Sequence, residues 1–283
     1  MTPSSLRNAV VATILLAGVA RVTTAQATYR NTDIGRPLRI EDAIALDRYA
    51  LDMHLAPLSF AWSRNRVRQW SVTPGATYGL LPRTQVDIAI PFTSVDDAGA
   101  RRSGLAGINL GALYNFNTES ATLPALAARG SILLPVGGVG PASSHPVLAA
   151  VATRSLAGLR LNLNAQYAFL AQPPGTTAAQ ARRTADAGVV RWLVGIAADR
   201  AFPRRSLLLG AEAYASQPLD ETQRARWHVA TGLRYQLTPR VTADLGVTAR
   251  ISGLERPWSF TFGLSRVTAI RSLRPGLGPW GGR

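Results

Sequence analysis

Leu159-Arg160-Leu161-Asn162-Leu163-Asn164-Ala165-Gln166-Tyr167-Ala168-Phe169 decides the fold. Leu159, Leu161, Leu163, Ala165, Tyr167 and Phe169 are apolar, while Arg160, Asn162, Asn164 and Gln166 between them are polar. Strict alternation is the mark of a strand with one wet and one dry face. Its length matches the roughly 9–11 residues that a tilted strand needs to cross a bilayer.

The same period recurs outward in both directions. Trp70, Val72, Ala76, Tyr78 and Leu80 oppose Ser71, Thr73, Gly75, Thr77 and Gly79; Val86, Ile88, Ile90 and Phe92 oppose Gln85, Asp87 and Ala89. Ile108, Leu110, Ala112, Tyr114 and Phe116 oppose Asn109, Gly111 and Asn115. Towards the C-terminus, Trp227–Tyr235, Val241–Arg250 and Trp258–Leu264 alternate likewise. Weaker alternation over 48–62 (with a phase slip near Pro57), 123–136, 147–156, 189–202 and 206–216 completes about twelve strands. No helical periodicity competes with them. The fold class is all-β, an antiparallel up-and-down transmembrane β-barrel.

The connections alternate as well. Links at 81–84, 117–122, 157–158, 203–205 and 238–240 are short, whereas 93–103, 137–146, 171–188, 217–226 and 252–257 are longer; only 63–66 departs. Short turns at one end and long loops at the other are the pattern of outer-membrane barrels, with both termini on the periplasmic side. A soluble sandwich or lipocalin-like barrel shares the alternation, so the composition of each face has to separate them. The polar face holds mostly Gly, Ala, Ser, Thr, Asn and Gln rather than the charges of a water-exposed surface. Aromatics mark the ends of the apolar face: Tyr49, Tyr78, Tyr114, Phe116, Phe202 and Tyr235 near the short turns, Trp62, Trp70, Phe92, Phe169, Trp192, Trp227 and Trp258 near the long loops. Two aromatic girdles fit lipid on the apolar side.

Composition narrows the function. The 283 residues include no Cys, which excludes disulfides, thiolate metal sites and a cysteine nucleophile. A mean hydropathy of +0.06 is too low for a polytopic helical membrane protein. Arg7, the apolar run Ala9–Ala20 and Ala25-Gln26-Ala27 have the layout of a secretory signal cleaved after Ala27. The expected organisation is a signal at 1–27, a periplasmic segment at 28–47, the barrel at 48–270 and a tail at 271–283. Residues 28–47 carry Arg30, Asp33, Arg36, Arg39, Glu41, Asp42 and Asp47, and either plug the lumen or lie in the periplasm.

Arg36-Pro37-Leu38-Arg39-Ile40-Glu41-Asp42-Ala43 runs into Asp47-Arg48-Tyr49; Gly107-Ile108-Asn109-Leu110-Gly111 runs into Tyr114-Asn115-Phe116, Glu119 and Pro124-Ala125-Leu126; Leu134-Pro135-Val136-Gly137 follows. This order resembles the outer-membrane β-barrel family described as transporters of the meta-pathway of phenol degradation. The resemblance spans roughly Arg36 to Leu264. It implies a channel-like barrel that passes small apolar or aromatic compounds. Val136 stands where the family commonly has Thr, and the chain continues through Arg271–Arg283 instead of ending on an aromatic residue.

Little in the sequence points to catalysis. His54 and His228 fall on polar strand faces and His145 in a loop, none close to another in sequence as metal ligands commonly are. A Ser–His pair of either strand histidine with Ser71 or Ser131 is a hydrolytic arrangement that strands meeting across a lumen allow, but no nucleophile-elbow motif accompanies it. No catalytic residue, metal ligand or cofactor is expected. The formal charge of +15, all from Arg, is spread rather than gathered on a reading helix, so no nucleic-acid partner is expected. Arg64, Arg66, Arg101, Arg102, Arg182, Arg183, Arg224 and Arg226 lie in or beside the outer loops, suited to lipopolysaccharide phosphates. Outer-membrane lipid, lipopolysaccharide, the barrel-assembly machinery and a small-molecule solute are the expected partners.

The candidate lumen-lining residues by parity are Asp52, His54, Asp87, Asn109, Arg129, Arg160, Asn162, Asn164, Arg191, Asp199, Glu212, His228, Arg234, Asp244 and Arg250. Their five arginines against five acids predict weak charge selectivity. Inward Gly107, Gly111, Gly195, Gly232 and Gly246 leave room for a narrow path. Substitutions such as Gly195→Ser and Asn164→Ser on this face are expected to be mild. A passive channel is the leading functional class, a non-conducting structural or adhesion barrel the alternative, and a barrel-embedded hydrolase a distant third.

Overall fold

The computed structural model describes residues 36–55, 58–62, 68–97, 100–169, 189–203, 206–219, 223–253 and 256–270. The expected signal (1–27), residues 28–35, the loop 171–188 and the tail 271–283 lie outside the described residues, as do Arg64, Arg66, Arg182 and Arg183. Alternating segments pair with their chain neighbours into one closed antiparallel sheet of twelve strands. In order they are β1 (Ala50–His54 and Leu58–Trp62), β2 (Arg68–Val72 and Gly75–Leu81), β3 (Thr84–Ala89 and Phe92–Asp97), β4 (Ala100–Leu105 and Ile108–Asn117), β5 (Ala125–Leu134) and β6 (His145–Leu156). There follow β7 (Leu159–Ala168), β8 (Trp192–Phe202), β9 (Leu207–Gln217), β10 (Arg226–Thr238), β11 (Val241–Arg250) and β12 (Trp258–Ala269). Closure comes from β12, which pairs with the first half of β1 through Ala50↔Ala269 and with the second through Phe60↔Phe260.

The first four strands are each interrupted, and the interruptions line up across the sheet. Pro74 and Pro91 have no N–H for the ladder, so the regular pairing lapses there. Ile90 N–H instead donates to the Pro74 carbonyl at 2.9 Å, and Ala106 N–H to the Pro91 carbonyl at 2.8 Å. The phase slip read near Pro57 is real: Asp52 faces inward before the break in β1, whereas Ser59, paired with Ser71, faces inward after it. A second slip lies at Ala106-Gly107 in β4, where Leu105 faces outward before it and Leu110 after it. Gly107 holds φ at 111°, and a Cβ there would stand 2.7 Å from Leu133 Cδ1.

The stretch 93–103, expected as a loop, consists of the paired segments Phe92–Asp97 and Ala100–Leu105. His145, also expected in a loop, opens β6 and is buried. The Gly137–Gly140 run does form a loop, folded so that Val139 packs against Gly104 and is buried.

The two faces are inverted relative to a water-soluble protein. Leu163 is 52% exposed, Val194 48% and Trp227 55%, while Asn162, Arg234 and Asp244 on the opposite parity are at most 2% exposed. A hydrocarbon surround makes this arrangement favourable, because it keeps these apolar side chains out of water, and the closed sheet pairs the backbone of the described strands towards lipid. Exposed Tyr114, Phe116 and Tyr235 mark the short-turn end, and exposed Phe169, Trp227 and Trp258 the other. The buried apolar clusters lie inside the barrel: Leu38 and Ile40 with Leu193, Ala197 and Ala230, and Ala43 with Leu113, Ala125, Ala127 and Val151.

Candidate functional site

Residues 36–47 run against the inward faces of successive strands. Arg36 begins at the β11–β12 wall, its guanidinium 3.2 Å from Ser265 Oγ and 3.5 Å from Asp244. Arg234 binds the same Asp244 and also donates to the Arg36 carbonyl. The next amides lack a neighbouring strand and are satisfied by wall side chains, as buried donors must be. Glu212 on β9 accepts from Arg39 N–H at 2.9 Å and Ile40 N–H at 2.8 Å. Asn164 on β7 accepts from Glu41 N–H at 2.8 Å and returns its amide to the Glu41 carbonyl. Thr153 accepts from Ala43 N–H, Asn115 donates to the Ala43 carbonyl, and Gln85 accepts from Leu46 N–H. The segment has thereby passed from β12 round to β3 before entering β1.

Charge complements charge along this path. Arg129 holds Glu41 through Nε at 2.9 Å and Asp87 through a terminal nitrogen at 2.5 Å. Arg160 bridges Asp42 of the segment at 2.9 Å and Asp199 of β8 at 3.0 Å. Asn162 donates to Asp199 at 2.8 Å and accepts from Thr153, which fixes both. Such pairs persist out of water because each is hydrogen-bonded on several sides; removing one partner of a buried pair leaves an uncompensated charge.

The inward glycines make the room that the segment occupies. Gly210, Gly232 and Gly246 are direct register partners on β9, β10 and β11. A Cβ on Gly210 would stand 2.8 Å from Leu38 Cδ1, one on Gly232 2.8 Å from Pro37 Cβ, and one on Gly246 2.3 Å from the Pro37 carbonyl oxygen. Gly195 does the same for Ile40, at 2.6 Å. Gly111 makes space for the Asp87–Arg129 pair. Gly195→Ser and Asn164→Ser are therefore not the mild changes that parity alone suggests.

The remaining predicted residues sit around this centre. Asp52 and His54 neighbour each other on β1, His54 Nε2 lying 3.9 Å from the carboxylate. Asn109 is half-buried near the middle of β4. Arg191 precedes β8 at the outer end and donates to the Leu219 carbonyl. His228 stacks on Tyr214, ring centroids 4.6 Å apart, and is the register partner of Arg250. Ser71 Oγ meets Ser59 Oγ at 2.6 Å, so its hydroxyl engages a neighbouring hydroxyl. Gln85, Asn115, Thr153 and Tyr214 also contribute to the interior. Their inward parity was visible in the sequence, but their role depends on backbone amides of a distant segment.

A cleft of about 470 Å³ opens at the short-turn end between the segment and the wall, bordered by Ile44, Leu46, Arg83, Asn115, Thr153 and Arg160.

No family model matches the chain, and no curated protein does. Among solved structures, the chain is similar to an outer-membrane channel from Pseudomonas putida F1, with a TM-score of 0.58 at 13% identity over 80% of this chain and 98% of that one. Weaker likenesses include the KdgM porin (TM-score 0.46, 9% identity, 77% and 98% covered). Another is the CymD monoaromatic hydrocarbon channel (TM-score 0.45, 8% identity, 78% and 89% covered). The fold is that of outer-membrane β-barrels.

Proposed function

We propose that the chain is an outer-membrane channel for passive uptake of small solutes, and that residues 36–47 form a plug in its lumen. The observation that carries this reading is the polar, charged interior enclosed by a closed barrel with an apolar outer surface. A barrel serving only as an anchor has no need of buried ion pairs such as Arg129–Asp87, which cost desolvation energy. The leader at 1–27 would direct export, the assembly machinery would insert the barrel, and the outer belt would meet lipid and lipopolysaccharide. Arg101, Arg102, Arg224 and Arg226, at or beside the long-loop ends of β4 and β10, would be the groups that meet lipopolysaccharide phosphates. The family resemblance adds small aromatic or apolar compounds as solutes, and the channel class disfavours an enzyme.

A specific observation favours the non-conducting alternative: Pro37, Leu38 and Ile40 fill the glycine-lined groove of β8–β11. Planar-bilayer recording separates the two readings. The full chain should give a small conductance, and a chain lacking residues 28–47 a larger one. Silence from both, with the barrel shown to be folded, would establish the structural reading.

A further inference from the structure

The loop between β5 and β6 does not stand clear of the barrel. Leu105 on β4 is 39% exposed on the lipid face, so Gly104, next to it, and Thr93, the register partner of Gly104, turn inward. Val139 is buried against that inward face: its Cγ2 lies 3.2 Å from where a Cβ on Gly104 would stand. Gly140 and Pro141, which follow, are buried as well. Residues 137–141 therefore enter the barrel from its long-loop end. Residues 36–47 approach from the opposite end, since they lead into β1 on the short-turn side.

Backbone geometry brings the loop in. Gly137 has φ at 89°, and a Cβ there would stand 2.3 Å from the Leu105 carbonyl oxygen, so glycine alone fits this turn. Val139 N–H then donates to the Leu105 carbonyl at 3.2 Å, and Gly140 N–H to the Gly137 carbonyl at 3.3 Å. Gly140 packs beside β4, the Gly107 amide nitrogen lying 3.2 Å from the Cβ that Gly140 lacks. Gly138 points the other way: it is exposed, and a Cβ on it would meet nothing within 4 Å. At the foot of the loop, His145 shares the inward parity of Thr153 on β6 and is 2% exposed.

We infer that residues 137–144 form a constriction folded into the outer mouth of the barrel, seated by Val139, and that this loop sets the size of solute that enters. Val139 is a positioning residue, because it faces the wall; Gly138 marks the side past which solute moves. Burial of the valine side chain holds the seat, whereas an unpaired carboxylate there would be driven out to water. The inference rests on the channel reading and adds its size-selecting element.

Two readouts test it on the full chain. The natural chain has no cysteine, and neither ring nitrogen of His145 has a hydrogen-bond partner among the described residues. H145C therefore places a single thiol at the foot of the loop without breaking such a bond. In detergent its labelling by a charged maleimide should be slow, and adding V139D should speed it at least about tenfold, with V139A between. Heat-modifiable gel migration confirms that each variant is folded. If V139D does not fold, V139A decides alone, with at least about threefold faster labelling. Labelling indifferent to the residue at 139 would overturn the seating. In planar bilayers under a salt gradient, G138D and G138R should move the reversal potential in opposite directions, and V139D should admit larger polyethylene glycols than the natural chain. A conducting protein with unchanged reversal potentials and an unchanged size limit would overturn the constriction. Silence from every variant, with labelling still governed by Val139, refutes the channel and its size limit and leaves the inward-folded loop standing.

Discussion

Glu212→Ala removes the anchor that fixes the middle of the interior segment. Glu212 accepts two hydrogen bonds, from Arg39 N–H at 2.9 Å and Ile40 N–H at 2.8 Å, and is 5% exposed. Hydrogen bonds to a charged group contribute about 1.5–3 kcal/mol each. The lower value for two bonds gives about 3 kcal/mol, and the lower value is the appropriate one because the freed amides recover water once the segment leaves the wall. Trypsin reads the loss directly, since Arg39-Ile40 is a cleavable bond held against β9, whereas Arg36 is followed by proline. When opening is fast relative to cleavage, the cleavage rate follows the open population, so about 3 kcal/mol becomes a rise of roughly a hundredfold. Glu212→Gln, which keeps an acceptor without the charge, should fall between. A cleavage rate at this bond within about threefold of the natural chain would refute the anchoring role.

Three further outcomes follow from the same geometry. Val194→Arg and Leu163→Arg place a guanidinium on the lipid face and should destabilise the barrel by about 2–4 kcal/mol near the midplane, measured by urea unfolding in liposomes; tolerance of both would reverse the faces. Arg129→Ala leaves Glu41 and Asp87 buried without their cation and should cost about 3–5 kcal/mol in the same assay, with Arg129→Lys milder; a loss under about 1 kcal/mol would mean the pairs are not buried as described. In the 118–124 turn, the Glu119 carboxylate accepts Ser155 N–H at 2.8 Å and faces Arg154 at 3.7 Å, which holds it below the usual carboxylate range. A carboxyl depressed in the folded state stabilises the turn above its unfolded value and loses that contribution as pH falls through the folded one. The protection of the Ser155 amide, its exchange rate taken relative to the pH-dependent intrinsic rate, should therefore fall as the Glu119 carboxyl is protonated on acidification, and should show no such step in Glu119→Gln.

The barrel was legible because period two is a local property: Leu159–Phe169 shows its lipid and lumen faces without reference to any other strand. Pro57 was legible as a slip because apolar parity changes across it. The slip at Ala106-Gly107 was not, because Ala100–Leu105 holds a single large apolar residue and so presents no apolar row whose phase can be followed. Charge pairing within neighbouring strands, such as Arg160 with Asp199, follows from parity and register. The fit of residues 36–47 does not. It depends on Gly210, Gly232 and Gly246 falling on one rung, and on side chains more than a hundred residues away meeting the amides of Arg39, Ile40, Glu41 and Ala43.

Whether residues 36–47 fill the lumen is measured most directly in a single molecule with a reversible lock. The natural chain has no cysteine, so Leu38→Cys with Gly210→Cys, added to Glu212→Ala, introduces one disulfide between the segment and the β9 groove. Single-channel recording before and after reductant then compares the held and released states of the same barrel. A small conductance is expected when the disulfide is formed and a severalfold larger one after reduction. Equal conductance in the two states would contradict it.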